Sequence, residues 1–288
     1  MIPRTASLAA ALLTAVLLVM PVAAQEKVAG AYGQGTEVFS LATGSPGELG
    51  LLKVLGEAFS QAQGGKTSLQ WIKAGSGESL KLLKDKKVDM IMVHAPKAEK
   101  EAVKDGWAAK RTLIGSNEFF IVGPATDPAK IAKAACATEA YKKIAAAKAK
   151  FFSRGDNSGT HKKEMDVWQQ AGLKPEGDWY VVTKDFMTAT LKRANDDKGY
   201  FMVDSSTWVA EKKNLPNLKI LFKGDKALVN TYHALAQPEG ATSGAATAAK
   251  FIDFVASAKG QKIIRDYGKD KYGAGLYNDA KYAKKYDD

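Results

Sequence analysis

The chain has 288 residues, of which 45% are hydrophobic and 25% charged, a balance that excludes a disordered polymer and a multi-span membrane protein. At roughly 100–200 residues per domain, this length allows one large or two medium domains with a full core. A formal net charge of +11 invites a nucleic-acid reading, which the N-terminus removes.

Met1 to Ala24 reads as a cleaved secretory signal. Arg4 supplies the positive start, and Leu8 to Val19 is an apolar run too short to span a bilayer comfortably. Val22-Ala23-Ala24 offers small residues for cleavage before Gln25. No stop-transfer pattern follows, so the segment reads as a leader and not an anchor. Cleavage leaves 264 of the 288 residues and a net charge of +10. An exported protein rarely meets DNA, so no nucleic-acid partner is expected. Cys136 is the only cysteine, so no intramolecular disulfide can form, and it reads as a small residue of an Ala-rich helix. His94, His161 and His233 are too far apart for a zinc pattern. Neither a cation site nor a cofactor is expected.

After Gln25 short apolar strands alternate with amphipathic helices. Glu37 to Ala42 is a strand, and Leu49 to Gln61 a helix with Leu51, Leu52, Leu55 and Phe59 inward. Ser68 to Lys73 is a strand, followed by a helix through Ser79, Leu80, Leu82 and Leu83. Val88 to Val93 is apolar but for one charge, which suits a strand buried on both faces. Lys97 to Asp105 is helical and Asn117 to Gly123 is a strand. A second series has a strand ending at Phe151-Phe152, a helix from Gly159 to Ala171, and a strand from Asp178 to Val182. Thr188 to Ala194 is helical, Gly199 to Val203 and Leu218 to Leu221 are strands, and helices near Ala245 to Ala256 and Gly260 to Tyr267 close the chain. The order predicts an α/β fold of two lobes, each a mainly parallel sheet flanked by helices. With no flexible tether between the halves, strands near Phe119 to Pro124 and Val229 to Gln237 are expected to cross between them. Residues 25–120 with 235–288 form the first lobe in this reading, and 121–234 the second. Tyr277 to Asp288 reads as a solvated Tyr/Lys-rich tail without an assigned function.

Three turns at strand-to-helix junctions share one chemistry. They are Ala42-Thr43-Gly44-Ser45-Pro46-Gly47, Ala74-Gly75-Ser76-Gly77-Glu78-Ser79 and Ser153-Arg154-Gly155-Asp156-Asn157-Ser158-Gly159-Thr160. Glycines allow close backbone approach, and helix N-termini present unpaired N–H groups with about half a positive charge, which attract anions. In parallel α/β sheets such turns stand at the strand ends where ligands bind. Plain helix capping by Ser, Thr and Asp is the other reading. Arg154 adds a planar fork of donors suited to an oxyanion. Lys162 and Lys163 oppose the dipole of the following helix, which disfavours the helix and favours an anion nearby.

Enzyme signatures fail. Gly65-Lys66-Thr67 ends like a phosphate-binding loop, but Ser60 stands where its first glycine belongs. Gly75-Ser76-Gly77 opens like a dinucleotide fingerprint, but Leu80 replaces the last glycine. There is no G-x-S-x-G elbow. His161 lies beside Ser158 and Asp156 in sequence, whereas triad partners normally come from separate segments.

The segment Ser153 to Glu164 closely resembles the S-R-G-D-D-S-G-T-H-K-K-E stretch of TupA-type tungstate-binding proteins, the solute receptors of ABC importers. Val93-His94-Ala95-Pro96 resembles that family's V-H-A-P turn, and Asn117 to Pro124 its N-D-F-V-I-V-G-P strand. Trp168 to Gly172 and Phe251 to Gln261 also fit, and the likeness runs from Glu37 to about Asn278. The resemblance implies a type II-like periplasmic binding protein fold with a two-strand hinge, closing on a tetrahedral oxyanion. It implies a non-enzymatic, monomeric receptor in the periplasm that delivers tungstate or molybdate to an inner-membrane permease, with phosphate the main rival and sulfate a further one. The matching donors would be Thr43, Ser45, Ser153, Arg154, Ser158 and Thr160, with Ser76 a weaker candidate, supported by His94, Asp156 and His161. Two departures stand out. Ala42 and Gly44 replace hydroxyl residues of the family's first loop, and Asn157 replaces an aspartate. Phosphate keeps a proton near neutral pH and benefits from a carboxylate acceptor, whereas tungstate and molybdate need donors alone. Asp156 could be that acceptor or could orient Arg154. An exported enzyme acting on an anionic ester and a receptor that reports to a sensor are the remaining alternatives.

Overall fold

A computed structural model describes residues 26–287, so the expected leader lies outside the described residues. The first half of the chain runs β1 (Val28–Tyr32), β2 (Glu37–Thr43), α1 (Ser45–Glu48), α2 (Leu51–Ala62), β3 (Thr67–Lys73), α3 (Ser76–Lys84), β4 (Met90–Val93) and α4 (Pro96–Lys104). β2 pairs in parallel with both β3 and β4, while β1 adds to β3 antiparallel. β1 had no sequence signal, because the Gly/Ala-rich VAGAY run does not alternate. β4 is buried along its whole length. Its period of two sends Met90 and Met92 into one core, with Phe39, Leu52, Phe59 and Phe251, and Ile91 and Val93 into another, with Leu80 and Leu83. That double burial explains its unbroken apolar sequence. On α2 the predicted stripe Leu51, Leu52, Leu55 and Phe59 is buried, each side chain contributing roughly 1.5–3 kcal/mol.

β5 (Ala109–Pro124) is the long strand that joins the halves. It begins eight residues before the expected Asn117, because polar Lys110, Arg111 and Thr112 hide a ladder that the backbone still makes. α5 (Ala137–Ala146), β6 (Phe151–Ser153), α6 (Gly159–Gln170), β7 (Tyr180–Val182), α7 (Met187–Asp196), β8 (Tyr200–Asp204), α8 (Ser205–Glu211) and β9 (Leu218–Phe222) follow. β6 pairs in parallel with β7 and β8, and β5 pairs antiparallel with β8 and β9 through Phe119 to Pro124. The core here is aromatic: Tyr141, Phe151, Trp168 and Tyr200 are all buried. Cys136 sits at the N-cap ahead of α5, outside the helix expected to hold it.

β10 (Val229–Ala236) returns antiparallel to the first half of β5, from Val229 opposite Glu118 to Ala236 opposite Ala109, and it also pairs with β4. Residues 229–236, within the segment expected to cross between the halves, pair with residues 109–118 of β5, and His233 to Ala236 also with β4. Apolar content marks a strand as buried but does not say which ladder takes it. α9 (Ala245–Ala256), α10 (Ala258–Asp266), α11 (Lys269–Tyr272), β11 (Asn278–Asp279) and α12 (Ala280–Ala283) complete the described chain. The strand order is β1-β3-β2-β4-β10-β5-β8-β6-β7, with β9 and β11 on β5. Two parallel cores are thus joined through antiparallel strands. The C-terminal segment is not a free tail. Asn278 and Asp279 pair with Ser116 and Gly115, Tyr277 and Ala283 are buried, and Asp287 lies 3.0 Å from His233 Nε2. Few apolar side chains anchor it, so its Lys/Tyr-rich composition looks like that of a solvated tail.

Candidate functional site

The three hydroxyl–glycine turns converge. Thr43, Gly44, Ser45 and Pro46 from the β2–α1 turn meet Gly75 and Ser76 from the start of α3, and Arg154 and Ser158 from the β6–α6 loop. Met92, His94 and Tyr232 complete the wall. The enclosed space is about 10 Å³, roughly what one enclosed water-sized sphere requires. Its walls are polar on the turn side and apolar at Pro46, Met92 and Tyr232.

The second-lobe loop is built to hold its arginine. Gly155 and Asn157 adopt φ of +59° and +57°, and at Gly155 a Cβ would stand 2.2 Å from Val182 Cγ1. Arg154 is 4% exposed. Its Nη2 donates to Asp156 at 2.6 Å, its Nε to the Asp185 carbonyl at 3.2 Å, and its guanidinium lies over Phe186. Asp156 also accepts from Ser158 N–H at 3.1 Å, so its two oxygens orient Arg154 and the loop, and it is absent from the wall. Ser158 caps α6 by accepting from His161 N–H. Capping and ligand lining therefore coexist at one residue. His161 Nδ1 accepts from Asn157 N–H.

On the first-lobe side Thr43 Oγ1 donates to the Met92 carbonyl at 2.7 Å, which ties β2 to β4. Ser76 Oγ accepts from His94 N–H at 3.3 Å. Gly44 is tight, since a Cβ there would meet the Ala74 carbonyl at 3.3 Å. His94 is held down to about 3, mainly by burial, with Arg154 and Lys163 adding to the effect. It is neutral at physiological pH.

Two expected donors stand elsewhere. Ser153 shares a strand face with Phe151, whose ring packs on Trp168 of α6. Its hydroxyl lies beside Glu164 and Tyr180, favouring the ionised form of Glu164, though outside good hydrogen-bond geometry. Thr160 is four residues from Glu164 and eight from Trp168, hence on the helix face that they share, and its buried hydroxyl makes no hydrogen bond. Glu164 accepts from Tyr180 at 2.6 Å and Trp168 at 3.2 Å, and burial pushes it up to about 7. Sequence reasoning missed Pro46, Met92 and Tyr232 as wall residues. Each carries an ordinary core signal, and only Tyr232's place beside His233 in a crossing strand hinted otherwise.

Among the described residues no group of three His, Cys, Asp or Glu side chains is arranged to hold a metal ion, and no helix is long and apolar enough to cross a membrane. A two-lobed α/β fold with hydroxyl–glycine turns and a buried arginine converging in one cleft has the features of a solute-binding protein. A PBP superfamily domain model matches residues 28–259. The TupA tungstate-binding protein of Peptoclostridium acidaminophilum is 37% identical over 239 residues, covering 82% of each chain. The crystal structure of the tungstate ABC transporter from Geobacter sulfurreducens aligns with a TM-score of 0.72 at 39% identity, covering 81% of this chain and all of that one. The TupA tungstate-binding protein from Desulfovibrio alaskensis gives 0.69 at 37%, covering 84% and 98%. The chain belongs to the PBP superfamily and, within it, to the family of the TupA tungstate-binding proteins.

Proposed function

We propose that this chain is an exported, periplasmic receptor that binds tungstate or molybdate between its lobes and delivers it to an ABC permease. The observation that carries the reading is the chemistry of the wall: a buried guanidinium, the hydroxyls of Ser45, Ser76 and Ser158, and no carboxylate. With Asp156 engaged by Arg154 and Ser158, the wall offers no carboxylate to accept a proton from phosphate, while a fully deprotonated dianion needs only donors. The names of the relatives support tungstate. The lobes are taken to divide along β5 near Glu118 and just ahead of β10, with hinge closure over the ion. An ester-cleaving enzyme is disfavoured because Ser158 Oγ caps α6 and the neighbouring His161 Nδ1 is taken up by the Asn157 N–H.

Titration calorimetry with tungstate, molybdate, sulfate and phosphate tests this. Heat with the first two and little with phosphate is expected. No heat and no thermal shift with any of the four would remove the proposal.

A further inference from the structure

A line of buried amides runs across both strands that connect the lobes, and its polarity can be read from one end. Asp204, at the end of β8, accepts from Thr207 N–H at 2.9 Å, from Thr207 Oγ1–H at 2.8 Å and from the Ser206 hydroxyl. A carboxylate in that role only accepts, so the Asn117 atom that meets it at 3.2 Å is Nδ2. Asn117 Oδ1 therefore faces Asn230 and accepts from its Nδ2 at 2.8 Å. That leaves Asn230 Oδ1 against His94 Nδ1 at 2.7 Å. An amide oxygen there places the imidazole proton on Nδ1. Asp204, Asn117 and Asn230 are all buried, so water does not compete for these groups.

The imidazole so fixed is a contact between the lobes. His94 precedes α4 in the first lobe, with Tyr232 and Phe119 rings 4.8 and 6.2 Å from its own. Its other neighbour is Gly159, the first residue of α6 in the second lobe. A Cβ at Gly159 would stand 2.4 Å from His94 Cε1 and 2.6 Å from Nε2, closer than non-bonded atoms approach. Two further glycines repeat the pattern: a Cβ at Gly77 would meet the Asn157 carbonyl at 2.3 Å, and one at Gly75 would meet Ser158 Cβ at 3.0 Å.

We propose that Asp204, Asn117 and Asn230 are positioning residues that hold the His94 ring as the surface on which Gly159 closes, so that a bare glycine at 159 is required for the lobes to shut over the oxyanion. The ligand part rests on the receptor reading above; the tautomer is a property of the free protein. The test begins with ¹⁵N-histidine NMR of the ligand-free protein, where His94 should show its proton on Nδ1. Asn230→Ala should move the proton to Nε2 and weaken tungstate binding about tenfold. Asn230→Asp keeps an acceptor against His94 but loses the donor to Asn117, so it should keep a proton on Nδ1 while raising the His94 pKa. Gly159→Ala should keep the wild-type circular dichroism without ligand. It should nonetheless lose at least tenfold in tungstate affinity and lose the ligand-induced compaction seen by small-angle scattering. A wild-type His94 protonated on Nε2 overturns the positioning chain, and an unchanged tungstate Kd in Gly159→Ala overturns the closing contact. A wild-type protein that binds no oxyanion removes the receptor reading, while the NMR result still decides the chain.

Discussion

Replacing Glu164 with Gln should reshape the pH dependence of stability without removing a contact. Burial pushes this carboxyl from 4.5 up to about 7. The folded state then binds more protons than the unfolded chain between those values, so stability falls as pH rises through them. Integrating with these two values, the ionisation of Glu164 costs about 2.5 kcal/mol more at pH 8 than at pH 5. Gln is a near-isostere. Its Oε1 can accept from Trp168 and Tyr180 as the carboxylate does, and its Nε2 can donate to the Ser153 hydroxyl, which makes no good hydrogen bond. His94 works in the opposite sense. Its value is lowered from 6.5 to about 3, so its contribution is present above the unfolded value and is lost as pH falls towards 3, by about 2 kcal/mol already at pH 5. The two nearly cancel in the wild type between pH 5 and 8, and only a difference between proteins separates them. Urea unfolding of wild type and Glu164→Gln at pH 5 and pH 8 provides it. The variant should gain about 2–3 kcal/mol on the wild type between the two pH values. An equal offset at both would refute the claim that Glu164 is neutral in the fold at pH 5.

Arg154→Ala should weaken tungstate binding by about 2–4 kcal/mol, measured by calorimetry, because it removes the buried cation and leaves Asp156 without its partner. An unchanged dissociation constant would place Arg154 outside the site. Phe251→Ala, which empties a position touching Phe39, Phe59 and Phe254, should cost about 3–5 kcal/mol in chemical denaturation. Asn157→Asp restores the charge that the family resemblance implies at an exposed position. It should reduce affinity by no more than a few-fold at low salt, with the difference gone in molar salt.

The parallel cores were legible because their strands carry the strongest pattern that a sequence offers. β4 is buried on both faces and reads as an unbroken apolar run, and α2 presents one clean stripe. The turns were legible for a chemical reason, since glycine and hydroxyl residues at strand-to-helix junctions serve both capping and anion contact. Direction was not legible: Ser153 and Thr160 belong to the right loop, but their buried hydroxyls follow the periods of β6 and α6 and do not line the wall, and a motif string contains neither period. The polar opening of β5 and the docked C-terminal segment were hidden for a related reason, because backbone ladders and a few buried side chains hold them. Asn117 opens a strand that the family resemblance picks out, but nothing in the sequence tied it to Asn230. Their role depends on two strands more than a hundred residues apart lying side by side.

Formal charge is a poor guide to what holds the ion. Arg154 is already neutralised by Asp156 at 2.6 Å, so the wall presents a dianion with nearly no net charge and must rely on oriented donors. Those come from the hydroxyls and from the N-termini of α3 and α6, which begin at Ser76 and Gly159 and carry about half a positive charge each. Fixed dipoles in an enclosed site are screened far less by salt than surface lysines are. Lys97, Lys162 and Lys163 line a separate opening of about 270 Å³ beside His94 and Gly159, together with Glu101 and Asp166. Raising ionic strength from 0.01 to 0.5 M should therefore slow tungstate association severalfold through loss of steering, while the off-rate stays nearly constant. Stopped-flow tryptophan fluorescence separates the two rates. A salt dependence lying mainly in dissociation would mean that the bound ion is held by exposed charge, and the donor account of selectivity would fall with it.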